Sequence, residues 1–233
     1  MFNDKKKAVT FSYDDGTTQD IRLIELLNKY GLKCTFNINS GLLGTNNMLV
    51  RDAGRISHYK IATDKLKEVY EGHEVAVHTL THPRLNKCSD EEIIRQVEED
   101  RLALEALVGY EIRGMAYPAG SHCVDARVEK LIESATAVQY ARGTDCSHSF
   151  DIPTYLYHFK PTVYHLDFDK MTELGHEFIK MTPETPKLFY IWGHSFEMDY
   201  ESLNWYRLEE FFKLISGHDD IFYGTNKETL LLK

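Results

Sequence analysis

The feature that most constrains the fold of this chain is a regular alternation of short strand-like segments with amphipathic helical segments. Residues 9–13 alternate apolar and polar side chains as in a strand, and residues 34–38 do so again. Between them, residues 17–30 have the apolar spacing of a helix that Gly31 would end. Because parallel strands need long crossover connections, this strand–helix–strand order predicts a parallel sheet.

The same order continues along the chain, interrupted by a polar stretch at residues 39–60 that predicts an inserted loop. Further strands are predicted at residues 74–77, 112–117, 137–141, 188–192 and 220–223. Further helices are predicted at residues 63–70, 89–108, 124–134, 168–182, 200–216 and 225–231. About seven strand–helix units in one domain over residues 1–233 favour a closed or nearly closed barrel over an open sheet. The predicted fold is therefore a distorted (β/α) barrel of about seven strands, similar to a TIM barrel.

Charge and hydropathy exclude several classes of protein. The 27 basic and 36 acidic residues give a formal charge of −9, which argues against a nucleic-acid partner and a polybasic membrane anchor. The longest apolar run, Leu188 to Trp192, falls far short of the roughly 20 residues that cross a membrane, so no membrane insertion is expected. No apolar segment follows the basic residues near the N-terminus, which predicts a cytoplasmic protein or one whose leader has been removed. The 4 cysteines are widely separated and predict reduced thiols, and no pattern indicates an oligomeric state.

Of four predicted strands whose ends stand out, three are followed by carboxylate or imidazole side chains. In parallel barrels the C-terminal ends of the strands meet at one rim, where active sites lie. The residues at these ends are Asp14 and Asp15, His78 and His82, Pro118 to Gly120, and His194. Each group alone has another interpretation: a solvated loop or helix cap for the aspartates, a polar turn for the histidine pair, and a hydrogen-bonded core residue for His194. Their placement on separate strand ends favours a shared site.

In these motifs the sequence resembles the NodB-homology polysaccharide deacetylases, carbohydrate esterase family 4. The first family motif, Thr-Phe/Tyr-Asp-Asp, corresponds to residues 12–15, and the second, His-Ser/Thr-x-x-His, is matched fully by residues 78–82. The third, which ends in Pro-Tyr-Gly, corresponds loosely to residues 117–120, and the last, Leu-x-His, corresponds loosely to residues 192–194. The resemblance extends over nearly the whole chain and implies the NodB type of distorted barrel.

The resemblance also implies one divalent metal ion bound by Asp15, His78 and His82. Two neutral imidazoles and a carboxylate leave open positions for water and substrate, as catalytic zinc sites require. Zinc is therefore the expected cofactor, although the same three ligands also accept cobalt, nickel, manganese or iron.

By the same resemblance, Asp14 would be the general base and His194 the general acid that protonates the departing amine. The backbone N–H of Ala119, which follows Pro118, would stabilise the oxyanion in place of the tyrosine usual at that position in the family. The family often carries an arginine two residues before the proline, where this chain has Ala116. Arg142 could supply that charge, with an exposed surface position as the alternative.

No Asp-Trp motif of the family is visible where it is expected, and Asp145 is a candidate to orient the general acid. The aromatic residues Tyr117, Trp192 and Phe196 would line a groove for a sugar, or else they belong to the core. The sequence assigns no role to Glu197, although it lies close to the rim.

The leading hypothesis is a metal-dependent carbohydrate deacetylase, a hydrolase of carbon–nitrogen bonds other than peptide bonds, whose substrate is an acetylated sugar or glycan. An O-acetyl esterase or another amidase on the same scaffold is the second hypothesis. The third is a carbohydrate-binding relative without catalytic activity. The presence of a base, three metal ligands and an acid candidate favours an enzyme.

Overall fold

The computed structural model describes residues 2–52 and 54–231. Within these ranges the strands are β1 Lys7–Asp14, β2 Cys34–Ile38, β3 Met48–Arg51, β4 Gly54–Ser57, β5 Glu74–Val77, β6 Gly114–Ala116, β7 Tyr140–Arg142, β8 Val163–Tyr164, β9 Lys187–Gly193 and β10 Ile221–Tyr223. The helices are α1 Asp20–Lys29, α2 Leu66–Val69, α3 Asp90–Val108, α4 Ala126–Ala135, α5 Phe168–Lys180, α6 Asn204–Ile215 and α7 Asn226–Leu230.

Eight of these strands form one parallel sheet in the order β7-β6-β5-β2-β1-β9-β8, and β10 pairs with the first residues of β1. The segment between β7 and β8 curls the sheet toward closure. The N–H of Gly143, just after β7, donates to the oxygen of Phe159 at 2.9 Å, and the N–H of Thr162 donates to Tyr190 of β9 at 2.8 Å. This irregular segment joins the two sheet edges, so the predicted distorted barrel is confirmed.

Strand β9 shows how the sequence fills both faces of the sheet. Leu188, Tyr190 and Trp192 pack together on one face in a cluster that also includes Ala8 and Tyr140. The intervening residues, at 189 and 191, pack in the larger core beneath the helices. Side chains alternate across a strand, so a strand buried on both faces is apolar at nearly every position. The interior is therefore packed, and the polar residues that end the strands gather at the rim.

Two elements differ from the sequence-based expectation. The inserted loop at residues 39–60 contains an antiparallel hairpin, in which β3 pairs with β4 from Met48 opposite Ser57 to Arg51 opposite Gly54. Strand β8 was not predicted, because two residues are too few for a visible alternation.

The 4 cysteines are free in the structure. None of the helices in the described ranges has the length and apolar character required to traverse a bilayer.

Candidate metal and catalytic site

The carboxylate of Asp15 and the imidazoles of His78 and His82 face one another at the C-terminal ends of β1 and β5. Oδ1 of Asp15 lies 4.0 Å from Nε2 of His78 and 3.9 Å from Nε2 of His82. One ligand atom from each residue lies within 4.8 Å of the other two. Ligands bound tetrahedrally at about 2.1 Å are roughly 3.4 Å apart, so this cluster is close to the spacing of a metal site.

Both histidines have the protonation state that a metal ligand needs. Nδ1 of His78 donates to the backbone oxygen of Ala116 at 2.8 Å, which leaves a lone pair on Nε2 toward Asp15. Burial lowers the pKa of His78 to about 4, and burial also lowers the pKa of His82. A neutral imidazole whose second nitrogen donates to a carbonyl is the usual form of a ligating histidine.

The loop that carries the histidines is fixed by polar side chains from neighbouring elements. Asp100 of α3 accepts from the N–H of His78 at 3.1 Å. Gln96 of α3 accepts from the N–H of Thr81 at 2.9 Å and donates to its hydroxyl at 2.8 Å. Asn39, just after β2, donates to the backbone oxygen of His78. The positions of the imidazoles therefore depend on buried hydrogen bonds from two elements.

Several rim residues hold an uncommon backbone conformation. A positive φ is costly for residues other than glycine, and such residues cluster at functional sites. The rim residues with positive φ are Asp15 at 82°, Thr79 at 68°, His82 at 60° and Ala119 at 60°. All four lie in the loops that follow the strands, where the surrounding hydrogen bonds determine the backbone.

His58 and Lys60, which both follow β4, hold Asp15 in place. The sequence analysis assigned neither residue to the site. Nε2 of His58 lies 3.1 Å from Oδ2 of Asp15. Nζ of Lys60 donates to the backbone oxygen of Asp15 at 2.6 Å and lies 3.2 Å from Oδ1. Burial alone would raise the pKa of Asp15, but the hydrogen bond with His58 and the charge of Lys60 bring it well below its usual value. Asp15 is therefore ionised.

Asp14 is buried and paired with Arg142. The guanidinium of Arg142 contacts Oδ1 of Asp14, and Asn37 donates to the same oxygen at 2.9 Å. Burial alone would raise the pKa of Asp14, but the charge and hydrogen bond of Arg142, together with the charge of His194, outweigh it and the pKa is lowered. The side chain of Arg142 is 0% exposed and lies over the ring of Trp192. The surface alternative for Arg142 is therefore wrong, and it occupies a position from which it can orient Asp14.

His194 lies between Asp14 and Glu197. Its Nε2 is 4.0 Å from Oδ2 of Asp14, and its Nδ1 is 3.0 Å from Oε2 of Glu197. Burial alone would lower the pKa of His194, but Glu197, together with the charges of Asp15 and Asp14, outweighs it and raises the pKa to about 9. The imidazole is therefore protonated at pH 7, with one nitrogen toward Asp14 and the pocket.

A second histidine, His165, holds Glu197 from the opposite side. Its Nε2 lies 2.8 Å from Oε2 of Glu197, and its Nδ1 lies 3.1 Å from the hydroxyl of Tyr13. The ring is buried against Gly193, where an added Cβ would come within 2.2 Å of it. Because burial lowers the pKa of His165, the ring is neutral. A neutral ring that accepts from Tyr13 can donate only to Glu197, so its tautomer is fixed.

The structure corrects the candidate for orienting His194. Asp145 is exposed, and its N–H bonds to the hydroxyl of Ser121 at 3.3 Å, away from the pocket wall. Glu197 occupies the position beside His194 instead. It follows His194 by three residues, and the short 3₁₀ helix Ser195–Tyr200 turns its carboxylate back toward the imidazole. The three-residue spacing between His194 and Glu197 is the sequence signal that could have identified Glu197.

The residues of the third and last motifs divide between the pocket and the core. Tyr117, Ala119 and Trp192 line the pocket, whereas Pro118 is buried behind its wall. The hydroxyl of Tyr117 donates to the backbone oxygen of Tyr157 at 2.6 Å. Within the described chain, no acceptor meets the N–H of Ala119. That donor is therefore available to a ligand.

All these groups border one pocket with a volume of about 650 Å³. The barrel rim forms one wall, and the hairpin β3–β4 with the residues beside it forms the other. Phe196, Tyr200 and Leu49 add apolar surface to the polar centre. A pocket of this kind, with a few convergent polar groups, is typical of a site for a small ligand or part of a larger one.

A family model described as polysaccharide deacetylase matches residues 2–140. Among curated proteins, the peptidoglycan-N-acetylglucosamine deacetylase PgdA of Listeria monocytogenes serotype 1/2a (strain 10403S) is 26% identical over 117 residues. That stretch covers 49% of this chain and 22% of the relative. The matched region thus spans about a fifth of the length of the curated relative.

Solved structures share the fold. The Xyl-CE4 domain of a multidomain xylanase from the hindgut metagenome of Trinervitermes trinervoides matches with a TM-score of 0.59 at 17% identity, covering 96% of this chain and 89% of that one. A CE4 family pseudoenzyme from Bacillus anthracis matches with a TM-score of 0.55 at 17% identity, covering 97% and 66%. A mutant of a CE4 family pseudoenzyme with restored enzymatic activity matches with a TM-score of 0.59 at 19% identity, covering 97% and 68%.

Proposed function

The chain belongs to the polysaccharide deacetylase family, and on that premise we propose that it is a metal-dependent hydrolase that removes N-acetyl groups from an amino sugar or glycan. One observation carries the proposal. A metal-ligand cluster, an ionised buried carboxylate and a protonated histidine converge on one pocket. Residues 1–233 would act as a single catalytic domain. A cytoplasmic location stays a prediction, which cell fractionation would test.

The donor set of Asp15, His78 and His82 fits a divalent cation. It offers one carboxylate oxygen and two neutral imidazole nitrogens within 4.8 Å of one another. When bound there, the ion would supply Lewis acidity for the acetyl carbonyl and lower the pKa of a water molecule. Zinc suits two imidazoles and a carboxylate, although cobalt, nickel, manganese and iron accept the same donors.

Asp14 is placed to act as the general base. Both of its protein hydrogen bonds fall on Oδ1, from Arg142 and Asn37, so Oδ2 remains toward the pocket and His194. The lowered pKa keeps the carboxylate ionised and ready to accept a proton from the attacking water. Arg142 would act through Asp14, by fixing its orientation.

His194 is placed to act as the general acid. It is held in its protonated form by Glu197, with Nε2 4.0 Å from Oδ2 of Asp14. A proton accepted by Asp14 on one side of the scissile bond would therefore be matched by one donated from His194 to the leaving nitrogen on the other. The N–H of Ala119 would donate to the oxyanion between them.

The direct test is acetate release by the purified protein from a panel of N-acetylated sugar oligomers and O-acetylated sugars, with metal content measured alongside. We expect acetate from the N-acetylated oligomers, loss of activity with a chelator, and recovery when zinc or cobalt is restored. Faster release from the O-acetylated sugars would instead support the esterase. No acetate from any substrate at full metal occupancy would support a binding relative.

The matched control for this panel is His82→Ala, which removes one metal ligand and leaves Asp14 and His194 in place. Acetate release that is unchanged in this variant would come from a contaminating enzyme. The likeness to pseudoenzymes makes this control important.

A further inference from the structure

The hairpin β3–β4 presents one face to the pocket and the other to solvent. Side chains alternate along a strand, and directly opposite residues of an antiparallel pair share a face. Asn47, Leu49 and Arg51 all line the pocket. Val50 and its cross-strand partner Arg55 lie on the other face, where both are exposed. The direction of the Arg51 side chain therefore follows from the register of the hairpin.

Each carboxylate in the pocket wall already has a cationic partner. Asp14 is paired with Arg142, Asp15 with Lys60, and Glu197 with His194. Within each pair the positive and negative charges cancel before any metal ion binds. The charge of a divalent ion at Asp15 would therefore remain uncompensated, in a chain whose formal charge is −9.

Arg51 adds another positive charge to this pocket. Across residues 2–52 and 54–231, no carboxylate lies within 4.0 Å of its guanidinium. Its contacts are with the hydroxyl of Tyr200, 3.4 Å from Nε, and with the backbone oxygen of Val50 at 3.0 Å. These contacts orient the group and leave guanidinium donors for a ligand. A planar guanidinium binds a carboxylate or phosphate with two parallel hydrogen bonds.

Building on the proposed function, we infer that the substrate carries a negatively charged group, a carboxylate or a phosphate, and that Arg51 binds this group. The distance along the hairpin places the charge away from the reacting acetyl group. Arg51 is three residues from Met48, whose cross-strand partner Ser57 precedes His58. At ~3.4 Å per residue this amounts to about 10 Å. This backbone separation favours a charged group on a sugar next to the one that loses its acetyl group.

The first test measures binding to the metal-free protein by calorimetry, so that it does not depend on catalysis. The probes are N,N′-diacetylchitobiose, the same disaccharide oxidised at its reducing end to the aldonic acid, and the disaccharide carrying a 6-phosphate on its other sugar. We expect at least one anionic probe to bind about tenfold more tightly than the neutral one, since a hydrogen bond to a charged group is worth that much. Equal affinities for all three probes would overturn the inference.

The second test compares variants of the two hairpin arginines. Arg51→Gln should remove most of the preference for the anionic probe, and Arg51→Lys should recover only part of it, because lysine lacks the planar fork. Arg55→Gln removes the same charge from the solvent-facing side of the hairpin and should leave the preference intact. If Arg55→Gln weakens anion binding as much as Arg51→Gln does, the effect is one of net charge and the assignment to Arg51 is wrong.

Acetate release in the presence of metal separates this inference from the proposed function. Equal kcat/KM for neutral and anionic probes, with acetate released from both, would refute the charged substrate and keep the deacetylase. If no probe releases acetate, the proposed function fails, and the calorimetry on metal-free protein still decides whether Arg51 binds an anion.

Discussion

The two walls of the pocket are built differently. The barrel wall, with Asp14, His78, Arg142 and His194, consists of strand ends whose polar groups are almost all buried and bonded to other buried groups. The hairpin wall, from Asn47 to Lys60, is partly exposed and meets the centre through His58 and Lys60. Charges interact more strongly where water is excluded. The barrel wall is therefore suited to hold reacting groups in fixed protonation states, and the hairpin wall is suited to select a ligand.

The two aspartates at the end of β1 divide between these walls. Asp14 is bound by Arg142 of β7 and Asn37 of β2, whereas its neighbour Asp15 is bound by His58 and Lys60 beside the hairpin. Asp14 is the last residue of β1, and Asp15 follows it with a φ of 82°, so the chain turns between them and one motif supplies both walls. Substitutions on each wall should therefore have separable effects, which the following predictions order from the largest to the smallest.

The largest effect is expected from the metal ligands. His78→Ala and Asp15→Asn each remove one of three donors, so both variants should lose the ion together with all measurable acetate release. Elemental analysis of the purified variants, with acetate release measured on the same samples, checks this expectation. A variant that keeps one ion per chain would show that the cluster is not the metal site.

The next largest effect is expected from the groups that transfer protons. Asp14→Asn and His194→Ala should each lower kcat by about 10²–10⁴ and keep the ion, because acid–base groups contribute that much to rate. An amine must be protonated to depart, whereas an activated phenolate need not be. His194→Ala should therefore impair an N-acetyl sugar more than an aryl acetate ester.

Two outcomes would contradict that division of roles. If Asp14→Asn loses the ion, the split between base and ligand at the end of β1 is wrong. If His194→Ala keeps kcat for the N-acetyl sugar within about twofold of wild type, far from the loss typical of a general acid, this histidine is structural.

A smaller effect is expected from Glu197, which acts through His194. The pKa of His194 is about 9 because Glu197, together with the charges of Asp15 and Asp14, outweighs the effect of burial. In Glu197→Gln the burial remains and the largest of these raising effects is lost, so the pKa should fall from its value of about 9. The protonated acid, which predominates in wild type below about pH 9, would then be lost at a lower pH. We expect kcat for the N-acetyl sugar to fall by up to about 10²-fold, which is the typical cost of a misplaced catalytic group.

The measurement is an NMR titration of the His194 ring in the metal-free protein, with the pH dependence of kcat measured in parallel. Glu201→Gln is the matched control, because Glu201 ends the same short helix and is exposed. An unchanged His194 pKa in Glu197→Gln would show that the high value has another origin.

The contrast between the walls also explains what the sequence could predict. The sequence places Asp15, His78 and His82 at one rim, because the C-terminal ends of parallel strands meet there. The family resemblance then selects these three residues as the metal ligands. Arg142 is the candidate to supply the charge of the family's missing arginine, and the structure pairs it with Asp14. For residues on regular strands, the alternation of apolar and polar side chains in the sequence predicts where each residue lies.

The residues that sequence analysis missed lie where this rule does not apply. His58 and Lys60 follow a hairpin in a polar insertion, and no periodicity relates that insertion to the rim. His165 follows β8, which is two residues long. Asp145 is the sequence-based candidate to orient His194, and Glu197 has no predicted role, but the path of the loop leaves Asp145 exposed. The placement of such residues depends on tertiary contacts rather than on local pattern.

The smallest effect is expected where the hairpin wall meets the metal ligands, at His58. Its Nε2 lies 3.1 Å from Oδ2 of Asp15, the carboxylate oxygen that does not face the other ligands. Groups that orient a ligand in this way are typically worth 10–100-fold in metal affinity or activity. Because Lys60 also holds Asp15, we place the loss in His58→Leu near the lower end, at about tenfold.

His58→Gln tests whether this effect is orientation rather than packing, because its amide can still donate to Oδ2. We expect His58→Gln to bind zinc more tightly than His58→Leu, as measured by competition with a chromophoric chelator. Tyr59→Leu changes the adjacent exposed side chain and controls for disturbance of the segment. If His58→Leu binds zinc as wild type does, Lys60 alone fixes Asp15, and the hairpin wall influences the ion only through that lysine. If all three variants weaken binding equally, the segment acts through its fold, and the orienting role of His58 is wrong.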